Sequence, residues 1–138
     1  MTPQYEMFDH ESDIGIRGFG TTIEEAFENA ALAMYAITVN VDLVKPLAHR
    51  VVTVSAADDE MLLVEWLNAL LSLSDVERMV YSKFTVKING TALTGKAWGE
   101  KLDETRHEPN VEVKGATYHM LKVCKIGDLY EAQCVVDV

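Results

Sequence analysis

Cysteine is scarce, with two in 138 residues. That excludes the disulfide framework of a small secreted domain and fits a reducing compartment. Proline is also sparse. Pro3, Pro46 and Pro109 are isolated, and no Gly/Ser/Pro-rich linker, repeat or low-complexity tract divides the chain. At ~100–200 residues per domain, a single domain over residues 1–138 is expected. Long apolar runs are missing too. The longest, Met61 to Leu73, is broken by Glu65, Asn68 and Ser72, too short and too polar for a bilayer. Met1-Thr2-Pro3-Gln4-Tyr5-Glu6 lacks the basic start and apolar core of a signal peptide. A cytoplasmic protein is the expectation, and nothing demands more than a monomer.

Positive charge is the last shortage. Twelve Lys and Arg face 22 Asp and Glu, for a net charge of −10. Strong direct binding of nucleic acid is not expected, because phosphate contacts rely on Lys and Arg. An anionic membrane surface is disfavoured for the same reason. Divalent cations and basic protein surfaces suit such a chain best. Familiar catalytic signatures are absent as well. There is no Walker phosphate loop, Rossmann fingerprint, CxxC pair or Gly-x-Ser-x-Gly elbow, and Gly15, Gly18 and Gly20 lack the strand–turn–helix spacing of a dinucleotide site.

Apolar types make up 49% of the chain, enough for a core. Tyr5 to Asp9 and Ile14 to Phe19 read as strands, and the glycines of the second predict a bend or bulge. Thr22 and Glu25 form a capping-box pattern. Ile23, Phe27, Ala30, Met34 and Ile37 then recur at helical spacing. Pro46 to Ser55 reads as a strand with Val52 and Val54 inward. Asp58 is the expected N-cap of a second helix over 59–73, apolar on most sides. Phe84 to Ile88 alternates as a strand, Asn89-Gly90 predicts a tight turn, and Thr91 to Gly99 returns beside it. Lys101 to Asn110 reads as a loop. Val111 to Ala116 begins another strand, and Tyr118 to Ile126 and Leu129 to Val138 form a hairpin about Gly127-Asp128. A two-residue turn pairs Ile126 with Leu129, Val123 with Ala132, Leu121 with Cys134, His119 with Val136 and Tyr118 with Asp137. It also puts Cys124 and Cys134 on opposite faces, which rules out a disulfide between them. The whole is an α+β domain, with two helices on one face of a mostly antiparallel or mixed sheet.

Four places offer chemistry. The sequence stops at Asp137-Val138 on a predicted strand, so the α-carboxylate of Val138 is expected beside that of Asp137. Two neighbouring anions attract a hard divalent cation, or stay solvated at a strand end. Asp13, in His10-Glu11-Ser12-Asp13-Ile14-Gly15, sits at a turn as an oxygen ligand or an ordinary turn former. Glu100, Asp103, Arg106 and His107 gather on a predicted loop. They read as acid/base groups and an anion clamp, or as local salt bridges. His119 falls on the apolar face of the predicted hairpin, where a hydrogen-bonded core histidine is the default.

Taken in order, these segments resemble the archease family. The resemblance rests on Phe8-Asp9-His10-Glu11-Ser12-Asp13-Ile14-Gly15-Ile16-Arg17-Gly18 and Glu65-Trp66-Leu67-Asn68-Ala69-Leu70-Leu71. It continues through Gly99-Glu100, Asp103, Arg106-His107, Val113-Lys114-Gly115-Ala116-Thr117-Tyr118-His119 and Asp137-Val138. It spans essentially the whole chain, with order and spacing kept. Gly115 departs from it, since alanine is the commoner residue there.

The resemblance implies a protein cofactor, not an enzyme. Its partner is the RNA-splicing ligase, which uses GTP and manganese, is guanylylated on a histidine, and joins 3′-phosphate or cyclic-phosphate ends to 5′-hydroxyl ends, split tRNA exons among them. The cofactor speeds guanylylation and permits repeated turnover. The family also implies a divalent cation, calcium, held here by Asp13, Asp137 and Val138. His10, Glu100, Asp103, Arg106, His107 and His119 are then supporting or partner-contact residues. Two other readings compete. One is a chaperone-like adaptor for RNA-processing proteins, using an exposed part of the 58–73 helix. The other is a metal-dependent hydrolase pooling Asp13, Asp137, Glu100 and Asp103 around one ion.

Overall fold

The computed structural model describes residues 3–138. Eight strands and two helices follow one another as β1 (Tyr5–His10), β2 (Asp13–Gly20), α1 (Ile23–Thr38), β3 (Ala48–Ser55), α2 (Asp59–Glu77), β4 (Met79–Asn89), β5 (Ala92–Lys101), β6 (Gly115–Ala116), β7 (Lys122–Ile126) and β8 (Leu129–Asp137). A single 3₁₀ turn at Val41–Leu43 follows α1. The α+β class matches the sequence reading. The strands, however, divide into two antiparallel sheets. One has five strands in the order β1-β2-β8-β6, with β7 also paired to β8; the other is β3-β5-β4. Alternation along a strand fixes its faces but not its sheet, so this division has no local signal.

α1 lies between the sheets, against β2 and β8 on one side and β4 on the other. Its start follows the capping pattern. The Thr22 side chain accepts from the Glu25 amide at 3.1 Å, while Glu25 reaches back to the Thr21 amide at 2.8 Å. Ala26, Phe27, Ala30, Ala33, Met34 and Ile37 are buried, as the spacing requires. The glycines of β2 do not make a bulge; β2 pairs regularly with β1 and β8. They serve close packing instead. A Cβ on Gly18 would meet Ala30 N at 2.2 Å and Ala26 O at 2.3 Å, so only glycine lets α1 sit this near the strand.

α2 packs on β3 and β5 and reaches β6. Asp58 caps it by accepting from the Met61 amide at 2.8 Å. It runs one turn past the expected end at 73, because nothing in Ser74-Asp75-Val76-Glu77 breaks a helix, and stops where Arg78 turns to φ +55°. Leu62, Leu63, Trp66, Leu67 and Leu70 are buried. Trp66 lies over Gly95 and its Nε1 donates to Phe27 O at 3.1 Å, joining the helices. The apolar face that the adaptor reading needed exposed is therefore in the core. No helix among the described residues is long and apolar enough to cross a membrane.

Two hairpins differ from the sequence reading. The β4–β5 loop is Gly90-Thr91, with Asn89 paired to Ala92, so the turn shifts by one residue; Gly90 holds φ +64° at its first position. The β7–β8 hairpin keeps its expected turn and pairs, Ile126 with Leu129 and Val123 with Ala132. Beyond Lys122 it departs. Thr117 Oγ1 donates to Val135 O at 2.8 Å and the Val135 amide donates to His119 O at 3.1 Å, so residues 117–121 bulge out with Met120 at φ +51°. Ala116 and Gly115, rather than His119 and Tyr118, then pair with Val136 and Asp137. Residues 111–114 form no strand. Both cysteines are free, and burial pushes the Cys134 thiol up to about 12.

Candidate functional site

The sequence-predicted residues form two groups. The first lies along one rim of the five-stranded sheet. β1 and β2 are joined by Glu11-Ser12, with Glu11 at φ +55°, and this hairpin closes on the pair His10–Asp13. β2 pairs with β8 through Ile14–Val136, so the next residues along the register are Asp13 and Asp137. Asp137 also pairs with Gly115 of β6. Cross-strand neighbours point to the same face. His10, Asp13 and Asp137 therefore stand in one row across three strands, with Val138 following directly. Val138 is half-buried against the core.

This row carries negative charge without compensation. The ion pairs among the described residues use Arg17, Arg50, Arg106, His107 and Lys122, and none includes Asp13 or Asp137. His10 adds an anomaly: its Nδ1 is buried without a hydrogen-bond partner among the described residues. Such atoms are normally satisfied, so each one calls for a physical reason. His119 meets His10 edge to face, ring centroids 4.9 Å apart. The sequence reading put His119 in the core; the 117–121 bulge leaves it exposed at the rim.

The donor set at this rim is mainly oxygen, which suits a hard divalent ion such as calcium. Among the described residues no three His, Cys, Asp or Glu side chains converge to hold a metal. A cation here needs oxygens from Val138 as well as from the two carboxylates. The chemistry of the set fits that ion.

Asn68 adds a structural role that the sequence pattern does not assign. It stands on α2 and clips β6 at both backbone groups, accepting from Ala116 N at 2.8 Å and donating to Ala116 O at 3.2 Å. It thereby holds the strand that borders Asp137. An asparagine inside the apolar run Trp66-Leu67-Asn68-Ala69-Leu70 was the available signal, since a polar group there needs partners.

The second group is a closed polar lock. Glu100 lies on β5, not in the loop expected for it. It accepts from Arg106 Nη2 at 2.6 Å, from the Lys45 amide at 2.7 Å and from His107 Nε2 at 3.0 Å. The Arg106 guanidinium, with these other donors, holds its carboxyl down to about 2. His107 is wholly buried. Its Nδ1 accepts from the Asp103 amide at 2.9 Å, so its proton sits on Nε2 and points at Glu100. Asp103 accepts from Thr105 and from the Arg106 amide, contacts that hold its pKa below the ordinary value. Arg106 also donates to Leu43 O at 2.8 Å. Every strong group here is engaged, so the local salt-bridge reading describes it. Glu100 and Asp13 belong to different sheets, and the pooled four-carboxylate site of the hydrolase reading does not form.

Comparison with known proteins matches residues 5–138 to the model of the "Archease protein family (MTH1598/TM1083)". Protein archease of Sulfurisphaera tokodaii is 43% identical, over 98% of this chain and 99% of its own. Protein archease of Pyrococcus abyssi is 44% identical, with the same coverage of both chains. The solution structure of Methanobacterium thermoautotrophicum protein 1598 superimposes with a TM-score of 0.86 at 37% identity, over 98% of this chain and 99% of that one. The crystal structure from Thermotoga maritima described as an archease and possible chaperone has a TM-score of 0.63 at 19% identity, over 95% of this chain and 94% of its own, and bears on the fold alone.

Proposed function

We propose, from the premise that the chain belongs to the archease family, that it is a non-catalytic cofactor of a GTP-dependent RNA-splicing ligase. It would promote guanylylation of the ligase and repeated turnover in tRNA splicing and RNA repair, in the cytoplasm and as a monomer. The observation that carries this reading is the row His10–Asp13–Asp137, two uncompensated carboxylates on neighbouring strands at one exposed rim. A resting protein gains nothing from leaving such charges unpaired; a binding surface does.

Oxygens of Asp13, Asp137 and Val138 would hold a divalent cation, calcium by ligand type. When bound, that ion supplies positive charge that offsets the carboxylate repulsion. The chain's own residues do the rest. Asn68 fixes β6 beside Asp137, and the 117–121 bulge places His119 against His10. The rim thereby keeps one shape for a partner. The net charge of −10 complements a ligase active site that is basic because it handles RNA and GTP.

The test is RNA ligation by the cognate ligase with RNA in excess. Turnovers well beyond one per ligase only with this protein present support the reading, as does loss of that effect in folded Asp13→Ala and Asp137→Ala. Equal turnover with and without the protein overturns it, and full activation by both variants overturns the role of the rim.

A further inference from the structure

Among the described residues no helix covers the outer face of the β3-β5-β4 sheet, and its charge is opposite to that of the chain. The register lines up three successive rows: His49–Trp98–Lys83, Val51–Lys96–Thr85 and Thr53–Thr94–Lys87. One lysine stands in each row, and rows repeat about every 7 Å along a strand. All three lysines, His49 and Val51 are exposed, and Trp98 is half-buried. None of the chain's 22 acidic residues lies in these rows, while three of its 12 basic ones do. Glu100, the next residue along this face of β5, is already covered by Arg106 and His107.

Trp98 stands in the first row, on the central strand β5. Lys83 Nζ stands 5.0 Å from its ring centroid, and the His49 ring lies 6.2 Å away, tilted by 41°. An open sheet face with a flanked indole and a ladder of ammonium groups is how proteins take up unpaired bases and the phosphates that follow them. Thr53, Thr85 and Thr94 add hydroxyls between the lysines, suited to ribose 2′-hydroxyls.

We infer that this face binds a single-stranded RNA segment, with one base stacked on Trp98 and successive phosphates on Lys83, Lys96 and Lys87. The inference goes beyond the cofactor reading and uses none of the rim residues. It also agrees with the whole-chain charge. Three phosphate contacts on a chain of −10 give weak, salt-sensitive binding, not the strong binding that the composition excludes.

The experiment uses the full chain without ligase and a labelled 12-nucleotide oligouridine at 50 mM salt. Anisotropy should rise and tryptophan emission should fall on binding. Trp66 is wholly buried, so Trp98 carries the quenching, and Trp98→Phe should abolish that signal while retaining binding. The double variant Lys87→Glu, Lys96→Glu should weaken binding at least tenfold with an unchanged thermal midpoint. Raising salt to 200 mM should weaken wild-type binding about 20-fold, the expectation for three phosphates on a single strand. No anisotropy change, or a duplex bound as tightly as the single strand, overturns the inference. So does lysine-dependent binding of poly-glutamate equal to that of RNA, which would mark an acidic protein as the partner. Ligase turnover is not read, so this result and the cofactor test fail independently.

Discussion

His107 Nε2 stands 3.0 Å from Glu100 Oε2 with no part of its ring exposed, and the same carboxylate holds Arg106 at 2.6 Å. Glu100 therefore fastens the 102–107 segment onto the end of β5. Its carboxyl is held down to about 2, against an ordinary value of 4.5. A lowered acid stabilises the fold fully above its ordinary value and ceases to do so as pH falls through its folded value. Thermal midpoints should thus decline between pH 4.5 and pH 2. Glu100→Gln should cost about 2 kcal/mol at neutral pH and flatten that decline. A variant profile parallel to wild type would remove Glu100 as its source.

Gly18 and Gly115 should respond oppositely to alanine. At Gly18 the new Cβ would meet helix backbone at 2.2 Å, which no side-chain rotation relieves. Gly18→Ala should cost about 3 kcal/mol or abolish folding. At Gly115 the nearest atom is Asn68 Oδ1 at 3.6 Å, an ordinary contact, and the backbone is not left-handed. Gly115→Ala should stabilise by about 0.5 kcal/mol, by restricting the unfolded chain. Urea midpoints of the two proteins decide the matter, and a destabilised Gly115→Ala would show that the site requires glycine.

Two buried tyrosines make a second opposed pair. Tyr35 Oη donates to Leu70 O at 3.1 Å and also contacts Ser74, whereas Tyr81 Oη is buried with no partner among the described residues. Tyr35→Phe should cost about 1–2 kcal/mol, and Tyr81→Phe should be neutral or stabilising. Equal losses in chemical denaturation would mean that Tyr81 Oη has a partner in solution.

The rim should reveal its ion through stability. Millimolar calcium should raise the wild-type midpoint and a chelator should lower it, because a ligand of the folded state stabilises by mass action. Asp137→Asn should lose that response. Without calcium it should melt at or above the wild-type temperature, since one of two facing carboxylates is gone. A calcium response that survives in Asp137→Asn would place the ion elsewhere.

Helix starts and the β7–β8 turn were legible because short side-chain patterns determine them. Thr22, Asp58 and Gly127 each act within a few residues of their own position. What escaped was set by distant partners. The glycines of β2 read as a bulge because α1, which presses on Gly18, is invisible to strand periodicity. His119 read as a core residue because an unbroken hairpin ladder puts it there; the bonds of Thr117 and His119 with Val135 break that ladder. Glu100 and His107 were recognised together, yet their engagement with Lys45 and Asp103 turns them from chemistry to structure. The charge total described the chain and concealed the lysine ladder, which exists only once β3, β4 and β5 are side by side.

β8, the last element of the chain, lies in the interior of the five-stranded sheet, with β2 on one side and β6 and β7 on the other. A nascent chain still holding β8 in the ribosome tunnel can form α1, α2 and the β4–β5 hairpin. The β1–β2 hairpin must wait with one edge open until β8 has emerged. Pairing over so long a stretch of chain is slow, and an open strand edge invites association with other chains. The aspartates of β2 and β8 meet only once β8 is in place, so a product that ends before β8 cannot present both.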